Sequence, residues 1–235
     1  MSSHTPLSDR GDILGLLELV ELLELDNLNI ITYASPLKLV ATGKILGFCR
    51  ETKLIDFGCG RGDALNLWGE YFGITGIGIE LNNSFCDIAR QKLAKSGLSD
   101  KIRIVCADAS TYNFEPHAHD VATCVNASFI WGGFRGTLRK LKSAINDAGS
   151  MVIGEPYYFC KDVPAELRES EGDFHTEGEI LDIIHDEECE QLFVKRANHD
   201  ECDNYRAYFR GKLQETSARY MSNYMGSALF AMKPK

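Results

Sequence analysis

One segment, Lys53 to Asp63 (KLIDFGCGRGD), constrains the fold of this 235-residue chain more than any other. Its first half is short, mostly apolar and bounded by glycine, which is the pattern of a buried strand. Glycines at positions 58, 60 and 62 follow, so we expect a turn and then a helix from about Arg61. Such glycines let the backbone approach a ligand closely, and the helix N-terminus presents unpaired N–H groups. The segment therefore predicts a strand, a turn and a helix that bind a nucleotide-like ligand.

Two acidic residues indicate which kind of ligand this turn suits. The dinucleotide fingerprint requires a third glycine at position 63, where this chain has Asp63. Asp56 lies two residues before the first glycine, where its charge would repel a pyrophosphate. A ligand with its own positive charge would not be repelled. S-adenosylmethionine (SAM) carries an ammonium and a sulfonium beside its carboxylate, so these acids favour SAM over NAD or FAD.

Five motifs in order resemble a known family. DFGCGRGD is followed by GIGIE (76 to 80), CADA (106 to 109), NASFIWGGF (126 to 134) and GEPYY (154 to 158). Together they resemble class I SAM-dependent methyltransferases, in particular the small prokaryotic enzymes called cyclopropane-synthase-like, over about Ser35 to Phe159. The resemblance implies a Rossmann-like α/β fold. Its sheet would have seven mostly parallel strands with an antiparallel last strand, and helical additions at the N-terminus and between the last two strands.

Alternating strand and helix patterns along the chain agree with right-handed βαβ units. The strands are expected at 53–57, 74–80, 102–106, 120–125, 151–154, 191–195 and 227–232. The helices are expected up to Leu25, from Ser35, and over 64–71, 83–95, 135–145, 178–188 and 200–221. We expect a single domain over 1–235, with a helical cap over 1–50, a SAM-binding core over 51–160, and an acidic lid, the last strands and a helical insertion over 161–235.

The cofactor candidates lie where predicted strands end. Glu80 lies 20 residues after Gly60, where a carboxylate can accept both ribose hydroxyls, although it can instead be merely solvated. The resemblance implies that Asp108 accepts the adenine amino group while the Ala109 N–H meets the ring; alternatively, Asp108 caps a turn. The complete set of expected cofactor-binding residues is Asp56, Gly58, Cys59, Gly60, Glu80, Leu81, Asp108, Ala109 and Asn126.

Acceptor-side candidates follow the fourth and fifth strands. Asn126 offers a donor and an acceptor at the rim of the site. Three aromatic residues (Phe129, Trp131 and Phe134) either form an apolar wall around the donor methyl or pack against the next helix. Glu155 and Tyr157, expected at the carboxyl end of the fifth strand, and His175, in an acidic loop or lid, are the catalytic candidates. Glu155 can instead accept backbone N–H groups, and His175 can be merely solvated. Tyr33 and Ser35 are further possible site residues, although a helix cap also explains Ser35.

Charge and cysteine usage narrow the class of partner. Twenty-five basic and 34 acidic residues give a net charge of −9, which disfavours nucleic acid. Eight cysteines occur without a C-x-x-C pair, which predicts reduced thiols in a cytoplasmic protein. His117 and His119 have no further ligand nearby in sequence, so no metal site is expected. The apolar stretch from Ile13 to Leu25 contains three glutamates, so neither a signal peptide nor a membrane span is expected.

The function expected from the sequence is SAM-dependent methyl transfer to a small-molecule acceptor. An amine or another neutral or cationic nucleophile is favoured, and the protein is expected to be a monomer or homodimer. A catalytically silent SAM-binding regulator would have the same glycine motif and acids. An NAD(P)-linked oxidoreductase would share the βαβ core, but Asp56 and Asp63 count against it.

Overall fold

The computed structural model describes residues 34–198, 201 and 223–235 of the chain. Several expectations therefore lie outside the described residues. They are the N-terminal helix ending near Leu25, the possible site residue Tyr33, and all but Glu201 of the helix expected over 200–221.

Seven strands in the described part of the chain form one sheet. They are β1 (Lys53–Phe57), β2 (Thr75–Glu80), β3 (Ile102–Cys106), β4 (His119–Val125), β5 (Ile145–Tyr158), β6 (Cys189–Arg196) and β7 (Met225–Pro234). Their spatial order is β3-β2-β1-β4-β5-β7-β6. β7 is antiparallel to both β5 and β6, whereas the other pairs are parallel. The expected Rossmann-like sheet with one reversed strand is confirmed.

Helices cover both faces of the sheet. They are α1 (Pro36–Ile45), α2 (Asp63–Phe72), α3 (Asn83–Lys95), α4 (Phe134–Ala144), α5 (Ala165–Glu171) and α6 (Glu177–Asp186), with a 3-10 helix at Ser128–Trp131. Apolar side chains of α1, α2 and α3 share one buried cluster, and those of α4 and α6 share the other. The Ser35 hydroxyl accepts a hydrogen bond from the Lys38 N–H at 3.4 Å, so the predicted cap of α1 is present. Among the described helices, none is long and apolar enough to cross a membrane.

β5 is much longer than the four-residue strand expected over 151–154. It extends to Tyr158 because β7 pairs with it continuously from Met151 onward. At its other end the register with β4 shifts, so that His119 faces Ile145 and Val121 faces Ser150. Gly149 lies in this irregular part of the strand. Glu155, expected at the carboxyl end of the fifth strand, therefore lies inside β5, three residues before its last residue.

The acidic segment after β5 is attached to the end of that strand. The Tyr158 N–H donates to the His175 carbonyl at 3.0 Å, and the Tyr158 hydroxyl donates to the Gly172 carbonyl at 2.5 Å. α6 then begins with a capping box formed by Thr176 and Glu179. The acidic loop expected around His175 is thus limited to the residues between α5 and α6.

Candidate active site

A cavity of about 550 Å³ lies at the carboxyl ends of β1, β2 and β4. The connection after β3 contributes to its wall through Asp108 and Ala109. All nine residues expected to bind the cofactor line this one cavity. They converge because parallel strands end at the same edge of the sheet, where open α/β folds bind ligands.

The turn after β1 positions its backbone against this cavity. Gly58 and Gly60 have φ values of +69° and +55°, in the left-handed region that favours glycine. A Cβ at Gly58 would lie 2.5 Å from the Ala127 Cβ, whereas a Cβ at Gly60 would meet nothing within 4 Å. The first glycine therefore permits close packing against the segment after β4, and the second faces open space.

Glu80 connects the turn to the end of β2. One carboxylate oxygen accepts the Gly60 N–H at 2.9 Å, and the other accepts the Asn82 N–H at 2.8 Å. A carboxylate has about four lone-pair sites, so two such bonds leave capacity for ribose hydroxyls. The side chain is thus held by the backbone in a position where it can still bind a ligand.

Asp56 is a buried acid at the floor of the cavity. The Thr123 hydroxyl donates to its Oδ1 at 2.6 Å. Burial raises the pKa of Asp56 to about 7, with a further increase from the charge of Glu80, while the Thr123 hydrogen bond opposes the shift. A cationic group beside Asp56 would favour its ionised form, so this acid suits a ligand with an ammonium.

Asp108 caps a turn and also lines the cavity, so the two readings of this residue are compatible. The Ser110 hydroxyl and N–H both donate to its Oδ1, at 2.7 and 2.8 Å. Both bonds lower the pKa of the exposed Asp108 carboxyl, and the bond from the Ser110 hydroxyl has the larger effect. Ala109, next in the chain, is buried and has its place in the same wall.

Sequence reasoning anticipated Leu81 and Phe129 in the cavity wall but missed other residues there, among them Leu39, Arg61 and Phe85. Among the described residues, five large apolar side chains are exposed, and three of them (Leu81, Phe85 and Phe129) line it. Leu39 of α1 and Arg61 also line it, and the Arg61 Nε is buried without a hydrogen-bond partner in the described structure. Arg61 lies inside the glycine motif, so the sequence already indicated that it would be near the ligand. Leu39 and Phe85 carried no such signal, because each lies on a helix outside the recognised motifs.

The three aromatic candidates after β4 have different roles. Phe129 is 78% exposed and lines the cavity, as an apolar wall requires. Trp131 packs edge-on against Phe57 at 5.3 Å, and Phe134 is fully buried against Phe230. Phe129 therefore fits the hypothesis of an apolar wall, whereas Trp131 and Phe134 fit the alternative that they pack within the fold.

None of the three catalytic candidates is among the described residues lining the cavity. Glu155 is 4% exposed, and burial raises its pKa to about 7 although a hydrogen bond from Ser128 opposes the shift. Tyr157 is buried between the rings of Phe159 and Phe230. His175 is exposed beyond the end of β5. Their catalytic roles stay predictions.

Comparisons with known proteins agree with this geometry. Residues 54–149 match the Methyltransferase domain family. The uncharacterized Escherichia coli protein YjhP is 30% identical over 175 residues, which span 72% of this chain and 70% of YjhP. A SAM-dependent methyltransferase from Geobacter sulfurreducens, solved in complex with S-adenosyl-L-homocysteine, is 25% identical with a TM-score of 0.77, covering 92% of this chain and 98% of its own. A second, from Thiobacillus denitrificans with the same ligand, is 23% identical with a TM-score of 0.76 and the same coverages, and shows the shared fold.

Proposed function

This chain belongs to the class I SAM-dependent methyltransferases, with SAM as methyl donor, and we propose that its acceptor is a small molecule with a neutral or cationic nucleophile, an amine first. The observation that carries the proposal is the charge of the cavity. Its described lining includes Asp56, Glu80 and Asp108, as well as Asp63 in an ion pair with Lys92, but only one basic side chain, Arg61. Carboxylates around an enclosed site attract cations and repel anions.

The size of the cavity is that of a site for small molecules. A volume of about 550 Å³ is within the range of pockets that hold a cofactor or a drug-sized ligand. The net charge of −9 disfavours nucleic acid as the acceptor. The free state of all seven described cysteines is compatible with a cytoplasmic protein. We propose a monomer or homodimer in that compartment.

The described residues suggest how SAM would be held. Glu80 would accept the ribose hydroxyls, Asp108 and Ala109 would meet the adenine, and Asp56 would pair with the ammonium. The backbone of the glycine turn would lie against the methionine part. Asn126 and Phe129, at the end of β4, would border the position of the transferred methyl.

Catalysis on this proposal consists mainly of positioning. When bound, SAM supplies an electrophilic methyl whose bond to sulfur breaks as the bond to the acceptor forms. The cavity residues orient the donor and exclude water, which is the contribution expected for an in-line displacement. An amine deprotonated in solution needs no strong base, which agrees with a cavity whose described lining lacks Glu155, Tyr157 and His175.

A turnover screen tests the acceptor class. S-adenosylhomocysteine (SAH) release would be measured with amines, phenols, thiols, carboxylates and phosphate esters, with reactions that lack the enzyme as the background control. We expect amines to be preferred and their rate to rise with pH, because the amine must lose its proton before it attacks. Preferred turnover of a carboxylate or phosphate compound would contradict the proposal. SAH binding without turnover of any class would instead favour a silent SAM-binding regulator.

A further inference from the structure

Glu201, in the connection between β6 and β7, is bonded to residues far away in the sequence. Its Oε1 accepts the Ser35 N–H at 3.2 Å, and its Oε2 forms an ion pair with the Lys38 ammonium. Oε2 also accepts the Asn198 N–H at 2.6 Å, and the Glu201 N–H donates back to Asn198 Oδ1 at 2.9 Å. These four residues, Ser35, Lys38, Asn198 and Glu201, are called here the Glu201 clasp.

The clasp acts on the N-terminus of α1. Donors at the start of a helix lack partners within the helix, and the helix dipole favours negative charge there. Glu201 supplies both an acceptor and a charge at that point, from 166 residues away. Burial tends to raise the pKa of Glu201, but hydrogen bonds from Lys38, Ser35 and Asn198 outweigh it, so the pKa is lowered. The carboxylate is therefore ionised at neutral pH.

The clasp differs from an ordinary surface ion pair. The Glu201 and Lys38 side chains are only 11% and 21% exposed. By contrast, the Lys233–Glu190 pair between β6 and β7 has side chains 46% and 57% exposed. Exposed pairs contribute little because water screens them, whereas partly buried charges with several donors are more strongly coupled. Lys233–Glu190 therefore offers an exposed control pair, on the two strands that the Glu201 connection joins.

α1 connects the Glu201 clasp to the cavity. Leu39, the residue after Lys38, is fully buried and lines the cavity. Its carbonyl accepts the indole N–H of Trp68 at 2.8 Å, which fixes the helix against α2. Ala34 and Ala197, next to Ser35 and Asn198, line a small depression that shares Val125 and Asn126 with the cavity. The clasp residues are thus next in sequence to residues that line the cavity and to residues that line the neighbouring depression.

We propose that Glu201 is a positioning residue for cofactor binding, which holds the first turn of α1 in place and thereby keeps Leu39 at the cavity wall. The inference rests on the proposed role of the cavity as the SAM site. Because coupling between two equilibria is reciprocal, bound SAM also stabilises the clasp.

Two measurements test this role. SAH dissociation constants would be measured by isothermal titration for Glu201→Ala, Glu201→Gln, Lys38→Met and the control Glu190→Gln. Independently, Trp68 emission would be recorded in a Trp131→Phe background, where Trp68 is the only tryptophan and reports its bond to Leu39. This second readout does not depend on any ligand.

We expect Glu201→Ala to weaken SAH binding about 5- to 30-fold, since a charged hydrogen-bonded group is lost. Glu201→Gln and Lys38→Met should have smaller effects, and Glu190→Gln none. The double variant Lys38→Met with Glu201→Ala should lose less than the product of the single effects, because both act on one contact. Trp68 emission should shift in Glu201→Ala, and saturating SAM should restore the wild-type turnover number.

Unchanged Trp68 emission with SAH affinity within twofold of wild type in Glu201→Ala would overturn the proposal. A Glu201→Ala variant that fails to fold would leave the decision to Glu201→Gln and Lys38→Met, judged by the same two readouts. Multiplicative effects in the double variant would also contradict a shared contact. If wild-type protein does not bind SAH, the proposed function fails, while the Trp68 emission still decides whether Glu201 positions α1.

Discussion

At the scale of single residues, the proposed role of Glu80 in ribose binding can be tested directly. Its carboxylate accepts two backbone N–H groups and lines the cavity. We expect Glu80→Ala to weaken SAM binding by at least tenfold, because two charge-assisted bonds to ribose, each roughly 1.5 to 3 kcal/mol, would be lost. His175 is an exposed residue outside the cavity lining, so His175→Ala should leave the affinity for SAM unchanged. Equal dissociation constants for the two variants, measured by isothermal titration, would overturn the ribose assignment.

A modified ligand separates ribose binding from the support that Glu80 provides to the backbone. The 2′,3′-dideoxy analogue of SAH should bind wild-type protein more weakly than SAH does. With Glu80→Ala, the two ligands should bind equally. A persistent preference for SAH in that variant would assign the hydroxyl contacts to another residue.

The second prediction at this scale concerns two buried acids, Asp56 and Glu155, whose pKa values are both raised to about 7 mainly by burial. Such a carboxyl holds its proton more tightly in the folded protein than in the unfolded chain. Its stabilising contribution is therefore present below the unfolded pKa, near 4, and is lost as pH rises through about 7. Each group should lower the free energy of unfolding by roughly 2 to 3 kcal/mol between about pH 5 and about pH 8.

Denaturant unfolding at several pH values checks this dependence. Glu155→Gln and Asp56→Asn should each remove about half of the loss of stability, and the double variant should remove most of it. Glu190→Gln, an exposed glutamate on β6, serves as the control. A wild-type protein that is equally stable across this range would show that both acids are ionised when buried.

At the scale of the element, the turn after β1 allows two matched substitutions. Gly58 and Gly60 both have positive φ, so an alanine at either costs roughly 1 to 2 kcal/mol in backbone strain. Only at Gly58 would the new methyl also clash, with Ala127. We expect Gly58→Ala to lower the free energy of unfolding by roughly 2 to 4 kcal/mol. Gly60→Ala should cost less stability but weaken SAH binding, since its methyl points into open space beside the cavity.

Urea unfolding and isothermal titration on the same two variants measure both effects. We expect the two variants to rank differently in the two measurements. Gly58→Ala should lose more free energy of unfolding than Gly60→Ala. Gly60→Ala should lose more SAH affinity for each unit of stability that it loses. If Gly60→Ala binds SAH as wild type does, the turn does not lie against the ligand.

At the scale of the whole molecule, ligand binding should appear as added stability. A ligand that binds only the folded state stabilises it by about 2.7 kcal/mol at a concentration 100 times its Kd. For a chain of this size that corresponds to a rise in Tm of roughly 5 to 10 °C. We expect micromolar binding of SAM and SAH and such a rise in a thermal melt, with NADH as the negative control. No heat and no thermal shift with either ligand would refute cofactor binding.

The strand arrangement was predictable because its signals are local. Each of the first four strands is a short apolar run that ends at a turn, and strand-helix-strand connections have one preferred hand. β5 was underestimated because Glu155 and Pro156 interrupt its apolar pattern. Its continuation depends on pairing with β7, where Glu155 faces Ala228. No local pattern contains that information.

The convergence of the cofactor candidates on one cavity was predictable from the sequence. Motifs at the ends of parallel strands meet at one edge of the sheet whatever the connections contain, so Asp56, Glu80 and Asp108 were expected to lie close together. Tertiary structure alone decided which other side chains join them. Leu39, Phe85 and Phe129 reach the cavity, Glu155 is buried, and Glu201 meets Ser35, because these contacts depend on packing between segments distant in the chain.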